Sequence, residues 1–445
     1  MTKAAFTFID LFAGIGGFHA ALTALGGQCV YAVEIDQLAS QVYERNWGIS
    51  SLGDITRDAN EERMVVPAHD VLCAGFPCQP FSKSGAQKGM DETRGTLYWN
   101  ILRIIEVRKP SLVILENVRN LAGPRHQHEW QVIIETLRDA GYRVADEPAV
   151  FSPHLLPPSR GGRPQVRERV FITATRVDPE FGVPLHADAP VSNKPVAGWN
   201  PQDWHLETDL PLDPDHKVSD CELTDAEMLW INAWDEFVQI MWEEREGRRL
   251  PGFPLWADSW IPRSKLDGQE LKAMPAWKSN YIIKNSEFYT EHKLVLDKWM
   301  KRWQVRSSLF PPSRRKLEWQ AQDTPRLWET VMHFRPSGIR AKAPTYLPAL
   351  VAITQTSIIG SRERRLSTRE AARLQGLPEW FDFGPQANST TYRQLGNGVS
   401  VGAVWHVIRE HVRRDEEILK KTNPKLLRQI LSSPDSPDQI LATIR

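Results

Sequence analysis

Residues 70–85 of the chain read Asp70-Val-Leu-Cys-Ala-Gly-Phe-Pro-Cys-Gln-Pro-Phe-Ser-Lys-Ser-Gly85. The stretch opens with an apolar run that is typical of a buried β-strand, and Gly75 and Pro77 end that run. Open α/β sheets place their chemistry in loops at the carboxyl ends of strands. We therefore predict an α/β fold in which Cys78 lies at the functional edge of the sheet.

We predict different roles for the four cysteines of the chain. A lone cysteine is most often a small buried apolar side chain, which is our interpretation of Cys29, Cys73 and Cys221. Cys78 follows the strand break directly, so its thiol is a candidate nucleophile. No Cys-x-x-Cys spacing occurs, which argues against a disulfide framework and a structural zinc site. We expect no metal.

Length and composition describe an ordinary globular protein. A chain of 445 residues is long enough for two domains, or for one large domain with an insertion. Its hydrophobic content of 41% and charged content of 25% are usual for such proteins. No apolar run reaches the roughly 20 residues that span a bilayer, and the first residues lack a signal-peptide pattern. We predict a cytoplasmic protein with no membrane partner.

The net charge of zero conceals two opposed segments. Residues 178–246 contain 17 Asp and Glu against 3 Lys and Arg, whereas residues 248–316 contain 6 acidic and 15 basic side chains. Phosphate binding normally requires a basic surface, and the second segment provides one. The charges are thus compatible with a nucleic-acid partner, although both segments can also be solvated surfaces.

The N-terminal residues 6–22 predict a strand, a glycine turn and a helix. A turn with Gly14, Gly16 and Gly17 allows a cofactor to approach the backbone, although many such sequences form only tight turns. The next predicted strand ends near Glu34, where a carboxylate can accept hydrogen bonds from ribose hydroxyls. Asp54 follows another short unit and can accept from an adenine amino group or cap a helix.

Two later segments also carry polar side chains at strand termini. An apolar strand over residues 111–118 ends in Glu116 and Asn117, so we expect Glu116 and Cys78 on neighbouring loops of one sheet. Arg167 and Arg169 precede another strand in the sequence Gln165-Val-Arg-Glu-Arg169. Taken alone, these arginines predict only surface salt bridges.

Seven of these segments together resemble the DNA cytosine-5 methyltransferases, in the order of that family. They include the glycine turn, the Pro-Cys loop, Glu-Asn-Val, Gln-x-Arg-x-Arg, the helix over residues 365–378 and Gln394-Leu-Gly-Asn-Gly-Val-Ser400. The resemblance covers residues 6–173 and about 334–404. It implies a Rossmann-like fold that uses S-adenosylmethionine, with S-adenosylhomocysteine as the product, and an inserted target-recognition domain.

The resemblance also implies the cofactor-binding residues. Phe12 would pack on the adenine, Glu34 and Asp54 would hold the ribose and the adenine, and the final motif would lie near the methionine end. The complete set implied is Phe12, Ala13, Gly14, Gly16, Gly17, Glu34, Ile35, Asp54, Ile55, Pro77, Asn397 and Val399.

The family chemistry implies that Cys78 attacks carbon 6 of cytosine while Glu116 holds the pyrimidine edge. Arg167 and Arg169 would contact the flipped base, the flanking phosphate or the glutamate. The polar loop after Cys78 would close over the flipped base and meet DNA through Gln79, Ser82, Lys83, Lys88 and Arg94.

We predict four segments: 1–177 and 334–412 as two parts of the catalytic domain, 178–333 as the target-recognition insert, and 413–445 as a helical tail. Twelve of the 17 tryptophans lie in residues 199–328, which indicates a separate core for the insert. Aromatic and basic residues alternate over Lys298–Arg306, a pattern that suits phosphate contact and stacking.

The resemblance therefore predicts a monomeric bacterial enzyme that methylates a specific sequence in double-stranded DNA, paired with a restriction endonuclease. Two alternatives stay open at this point. One is an RNA methyltransferase, which would need a smaller insert because RNA already presents unstacked bases. The other is a catalytically silent DNA-binding module, which we would expect to lack Cys78, Glu116 or the glycine turn.

Overall fold

A computed structural model describes residues 4–77, 96–350 and 356–444. The chain divides into two compact units. The first unit comprises Met1–Pro211, Pro348–Thr354 and Thr368–Arg445, and the second comprises Leu212–Leu347 and Gln355–Ser367. The first unit is thus formed by three separate segments of the chain.

The first unit contains an eight-stranded sheet. Its strands are β1 (Phe6–Leu11), β2 (Gly27–Val33), β3 (Val71–Gly75), β4 (Leu112–Val118), β5 (Tyr142–Ala145), β6 (Ala149–Phe151), β8 (Arg169–Arg176) and β9 (His186–Ala187), with the short strand β7 (Gln165–Val166) outside this sheet. The order is β2-β1-β3-β4-β8-β5-β9, and β6 also pairs with β8. Strands β2, β1, β3 and β4 run parallel, whereas β8 is antiparallel to β4 and β5.

The central strands are apolar because both faces of this sheet are covered. Every residue of β4 before Val118 is buried, and β3 is buried up to Gly75. The helices of the unit are Gly17–Ala24, Gln37–Trp47, Ile55–Asp58, Leu97–Arg108, Gln127–Asp139, Leu206–Asp209, Thr368–Gln375, Asn388–Asn397, Val401–Arg414, Glu416–Thr422, Pro424–Leu431 and Asp438–Leu441. This doubly covered, mainly parallel sheet confirms the predicted α/β class.

The second unit has its own sheet and core. Its strands β10 (Leu255–Trp256), β11 (Lys316–Gln320), β12 (Val331–Arg335), β13 (Gly338–Lys342), β15 (Ile358–Ile359) and β16 (Arg364–Arg365) pair in the order β10-β11-β13-β12-β15-β16, and the short β14 (Leu347–Pro348) lies at the boundary of the units. Its helices are Asp225–Glu244, Gly268–Ala273, Ala276–Glu291 and Lys293–Trp303. Buried tryptophans, including Trp234, Trp260 and Trp299, fill the core between them.

The bounds of the second unit differ from the predicted insert of 178–333. Residues 178–211 remain with the first unit, because β9 pairs with β5 and the buried Trp204 donates its indole N–H to the carbonyl of His154 at 2.9 Å. At the other end, β12 continues past residue 333 to Arg335 and pairs with β13, which lies wholly beyond that residue.

The final motif of the resemblance spans the junction of two helices. Residues 392–397 lie in the helix Asn388–Asn397, and the break before the next helix comes at Gly398 to Ser400. The tail beyond residue 414 forms the last three helices named above. Among the described residues, no helix combines the length and apolar character needed to cross a membrane.

Candidate active site

The order of strands changes direction at β1, which has β2 on one side and β3 on the other. In open α/β sheets, ligands bind outside the carboxyl ends of the strands at such a switch point. A cavity of about 780 Å³ lies at this position in the first unit. Ten of the predicted site residues line it, namely Phe12, Gly14, Glu34, Ile35, Asp54, Ile55, Pro77, Glu116, Arg169 and Asn397.

The glycine turn after β1 has two different functions. Gly14 lines the cavity with a φ of 54°, in the left-handed region that glycine tolerates best. Gly16 combines a positive φ of 94° with close packing, whereas Gly17 is required by packing alone. A Cβ on Gly16 would lie 2.1 Å from the indole nitrogen of Trp47, and one on Gly17 would lie 2.7 Å from Val399. Of the predicted cofactor residues, Ala13, Gly16, Gly17 and Val399 do not line the cavity; they form the layer behind it.

Phe12 reaches the cavity through an unusual backbone conformation. Its φ of 56° places a bulky residue in the left-handed region, which costs on the order of 1–2 kcal/mol. Such strain persists where the surrounding structure enforces it, and it occurs often at ligand sites. Nearby, Ile35 is 75% exposed although it lines the same cavity. The two side chains supply apolar surface at the mouth of the site.

Glu34 is held at the end of β2 by backbone donors. Its Oε2 accepts from the N–H of Gly14 at 2.8 Å, and its Oε1 accepts from the N–H of Asp36 at 2.8 Å. A carboxylate oxygen has two lone pairs, so each oxygen can accept one further hydrogen bond. The carboxylate is therefore fixed in place and can still accept from two donors, such as the hydroxyls of a ribose.

Asp54 both caps a helix and lines the cavity. Its Oδ1 accepts from the backbone N–H of Thr56 at 2.9 Å and from the Thr56 hydroxyl at 2.7 Å. These hydrogen bonds lower the pKa of Asp54 below its ordinary value, so it stays ionised. The capping alternative left open by the sequence is therefore correct, and it fixes a carboxylate at the cavity wall.

Glu116 lies on β4 in register with Gly75 on β3. Its Oε1 forms an ion pair with Nε of Arg169 at 2.9 Å. Burial raises the pKa of the Glu116 carboxyl, and the positive charges of Arg169 and Arg167 offset part of that increase. A buried glutamate beside a guanidinium can thus hold a proton above its ordinary pH range and remain oriented.

Arg167 occupies a different position from the one we predicted. It is buried, and its guanidinium donates to the carbonyls of Leu350 at 3.0 Å, Gly396 at 2.9 Å and Gly398 at 2.5 Å. Burial lowers its pKa to about 9, so it is still charged at neutral pH. Because these carbonyls occupy its donors, Arg167 positions the backbone around Asn397 and does not itself line the cavity.

The approach to Cys78 is fixed by hydrogen bonds from β4. The Asn117 side-chain amide donates to the carbonyl of Phe76 at 2.9 Å, and Pro77 lines the cavity. Cys78 and the predicted DNA-binding residues Gln79, Ser82, Lys83, Lys88 and Arg94 lie outside the described residues.

The cavity rim includes a pair that the sequence did not indicate. Arg393 Nη2 lies 3.5 Å from Asp36 Oδ2, and both side chains line the cavity. The two residues are far apart in the sequence, and neither belongs to a legible pattern of its own. Among the described residues, no group of three or more His, Cys, Asp and Glu side chains is arranged to hold a metal ion.

Comparison with known proteins assigns this arrangement to a family. A family model described as C-5 cytosine-specific DNA methylase matches residues 6–413. The chain belongs to this family. It is a DNA cytosine-5 methyltransferase, as the resemblance in its sequence predicted.

Individual relatives agree with this assignment. The Type II methyltransferase M.AluI of Cellulosimicrobium cellulans is 51% identical over 99% of this chain and 98% of its own length. M.HhaI of Haemophilus parahaemolyticus is 44% identical over 38% of this chain and 49% of its own length. A crystal structure of a candidate DNA modification methyltransferase from an E. coli prophage has a TM-score of 0.51 and 19% identity over 93% of this chain and 99% of its own, which supports the fold.

Proposed function

We propose that this methyltransferase transfers a methyl group from S-adenosylmethionine to carbon 5 of a cytosine flipped out of a specific duplex sequence. The reaction proceeds through a covalent adduct between Cys78 and carbon 6. The observation that carries the proposal is the ion pair of Glu116 and Arg169 in the switch-point cavity. Glu116 is in register with Gly75, only three residues before Cys78 in the sequence.

The residues of one end of the cavity fit the cofactor. Glu34 has free lone pairs for two ribose hydroxyls, Asp54 offers an acceptor for an adenine amino group, and Phe12 offers an aromatic surface. The final motif provides Asn397 toward the methionine end. When bound, S-adenosylmethionine supplies the electrophilic methyl group that carbon 5 receives.

The chain supplies the groups that make carbon 5 reactive. The Cys78 thiolate forms a bond to carbon 6, and the electrons of the 5,6 double bond move toward ring nitrogen 3. Glu116, oriented by Arg169, donates a proton or hydrogen bond to that nitrogen as negative charge develops there. After methylation, a base removes the proton from carbon 5, the double bond re-forms and the thiolate leaves carbon 6.

The thiolate needs a pKa below that of a free cysteine. The positive charge of Arg169 at the cavity is a physical cause for such a shift, and Arg167 adds charge from behind it. The second unit, with its own sheet and core, would recognise the DNA sequence. Following the Type II names of its relatives, we propose that the enzyme is the modification partner of a restriction endonuclease. The monomeric state stays a prediction of the sequence resemblance.

The proposal is tested by methyl transfer from labelled S-adenosylmethionine to duplex DNA of mixed sequence, with an RNA pool alongside. We expect label at carbon 5 of cytosine in DNA, and none with Cys78→Ala. Cys221→Ala is the matched control, because it removes a buried thiol from the second unit.

Each contrary outcome has a separate meaning. Label only in RNA would transfer the substrate assignment to RNA. Retained transfer by Cys78→Ala would remove the covalent mechanism. Absence of label from both pools, with the cofactor still bound, would leave a silent binding module.

A further inference from the structure

One face of the second unit's sheet carries a cluster of basic side chains. Strands β11, β13 and β12 are adjacent, and they point Lys316, Arg340, Lys342 and Arg335 away from the core. We name these four residues the cationic sheet face. Arg340 and Lys342 are two residues apart on one strand, which separates them by about 6–7 Å.

The alternation of the strands explains why these side chains do not belong to the core. The intervening residues Leu317, Phe334, Ile339 and Ala341 all pack into the tryptophan-rich core. Side chains of the opposite parity must therefore face outward. Gly338, which is in register with Arg335, leaves that part of the face without a side chain.

Several arginines elsewhere in the second unit have acidic partners, whereas Arg248, Arg306 and Arg314 donate to backbone carbonyls. The pairs include Arg249–Asp323, Arg263–Glu287, Arg302–Glu236, Arg315–Asp258, Arg326–Asp235 and Arg365–Glu227. On the cationic sheet face, Arg340 is held by Glu318 through two contacts of 2.7 Å. The side chains of Arg335 and Lys342 make no ion pair or hydrogen bond within the described ranges 4–77, 96–350 and 356–444.

The unpaired cations act on one another. Burial lowers the pKa of Arg335 and of Lys342, the charge of Arg340 lowers both further, and the carboxylate of Glu318 offsets part of that decrease. Between them lies His333, which is in register with Arg340 and whose pKa burial lowers to about 3, so it is neutral. Its Nε2 contacts the Ser357 hydroxyl at 2.6 Å, while its buried Nδ1 has no hydrogen-bond partner in the described part of the chain. Partly desolvated cations beside an unused polar atom are costly unless an anion binds them.

We propose that the cationic sheet face binds the phosphodiester backbone of the substrate DNA. This inference rests on the proposed role of the second unit in recognising DNA. Arg335 offers a planar fork for a phosphate, and Lys342 offers a compact charge. The contacts fix the position of the duplex on the unit and carry no sequence information themselves.

The pairing of Arg340 favours phosphate contact over reading of base edges. A guanine is recognised by two donors of one guanidinium, and Glu318 already occupies Nε and Nη2 of Arg340. The pairing with Glu318 fixes the direction of Arg340 and offsets its charge, so Arg335 and Lys342 supply the net positive charge of this part of the face. Base-specific contacts must then come from other parts of the unit.

A second basic surface provides a matched comparison. The helix Lys293–Trp303 exposes Lys298 and Lys301, which lie in the aromatic and basic segment singled out in the sequence. Other cations of this helix are paired, as Lys293 is with Asp297 and Arg302 is with Glu236. Removing two charges from each surface therefore compares the two surfaces at equal change in net charge.

The experiment compares the double variants R335Q/K342Q and K298Q/K301Q in the full chain. Binding to a duplex that contains a mapped methylation site is measured over a range of salt concentrations, together with kcat and KM for DNA. We expect R335Q/K342Q to weaken binding roughly 10- to 100-fold near 0.1 M salt and to reduce the salt slope by about 1.8, because each lost phosphate contact removes about 0.9. Its kcat should change little. K298Q/K301Q alters the segment whose sequence pattern suits phosphate contact, and it should reduce the slope by less than R335Q/K342Q does.

Three outcomes overturn the inference: an unchanged slope in R335Q/K342Q, a larger loss in K298Q/K301Q, or a loss confined to one base sequence. Single variants and thermal unfolding identify a double variant that fails to fold, and Arg335→Lys, which keeps the charge, should restore most of the slope. If the wild-type chain transfers no methyl group to DNA, the proposed function is wrong, and this inference, which rests on it, is wrong as well. If the chain is active and the slope is unchanged, only this inference fails.

Discussion

The two sheets of this enzyme carry their polar side chains in different places. In the first unit the faces of the sheet are covered, and polar side chains collect at the carboxyl ends of β2 and β4. In the second unit the polar side chains stand on a partly buried face, two residues apart along each strand. The first arrangement concentrates chemistry in a small cavity, and the second distributes weak contacts over a surface.

This difference predicts how each unit responds to substitution. In the proposed mechanism, a group at a buried strand end touches the reacting atoms, so its loss should affect the chemical step. A cation on the cationic sheet face would contribute one of several electrostatic contacts, so its loss should affect binding gradually. The following experiments test this contrast, beginning with the largest effect.

Glu116→Gln should reduce kcat by about 10²- to 10⁴-fold, because the amide cannot transfer a proton to ring nitrogen 3. Methyl-transfer kinetics at saturating DNA and cofactor measure the effect. Glu106→Gln is the control, since Glu106 is a partner of Arg103 away from the cavity. A change in KM alone would mean that Glu116 only binds the substrate.

Arg167→Met should destabilise the first unit by about 3–5 kcal/mol, because it leaves three carbonyls without their donor. Urea unfolding followed by fluorescence measures the loss. Arg176→Met, at an exposed position on β8, should cost far less. If the two substitutions have equal effects, Arg167 does not hold the final motif in place.

Acidification should weaken the first unit more than the second. Burial lowers the pKa of five histidines in the first unit to about 3 or 4, namely His19, His69, His154, His406 and His411. In the described part of the second unit, His333 alone shows such a shift. These imidazoles stay neutral when folded and take up a proton when unfolded below about pH 6.5. The stability that these neutral imidazoles contribute to the folded unit is therefore present above about pH 6.5, and it decreases as the pH falls toward 3 or 4.

The size of the acid effect follows from the same linkage. Each buried histidine contributes about 0.7 kcal/mol of destabilisation between pH 7 and pH 6, which amounts to roughly 3 kcal/mol for the first unit. Pulse proteolysis of the full chain, with fragments assigned by mass spectrometry, should show earlier cleavage in the first unit. If acidification accelerates cleavage equally in both units, the predicted difference between the units in acid stability is wrong.

Glu34→Gln should raise KM for S-adenosylmethionine about tenfold while kcat changes little, because one charged hydrogen-bond acceptor is replaced by a donor. Calorimetric titration of the cofactor measures the affinity directly. Glu44→Gln, on an exposed turn of the helix Gln37–Trp47, is the control. Unchanged cofactor affinity in Glu34→Gln would exclude the ribose contact.

Much of the first unit was predictable because its signals are local. Apolar runs that end in Phe12, Gly75 and Glu116 mark strand ends directly in the sequence, and these residues do line one cavity. The helix Leu97–Arg108 is likewise marked by local features, namely the helical spacing of its apolar residues and Pro110 just beyond its end. Short contiguous motifs therefore indicated the cavity-lining carboxylates.

The remaining features depend on contacts between distant parts of the chain. The packing of Gly16 against Trp47 and the three carbonyls around Arg167 require the folded arrangement of segments that no pattern connects. The cationic sheet face is equally hidden, because Arg335, Arg340 and Glu318 become neighbours only through strand pairing. The predicted insert bounds missed the pairing of β9 with β5 for the same reason.

The contacts of Arg167 also determine when, during synthesis of the chain, this part of the structure can form. Its partner carbonyl at Gly398 lies 231 residues further along the chain. At a synthesis rate of about 5–20 residues per second, the ribosome needs roughly 10–50 s to make that intervening length. Until then the buried guanidinium has no acceptors there and Asn397 is absent from the cavity. A nascent chain can therefore complete these contacts only late in its synthesis.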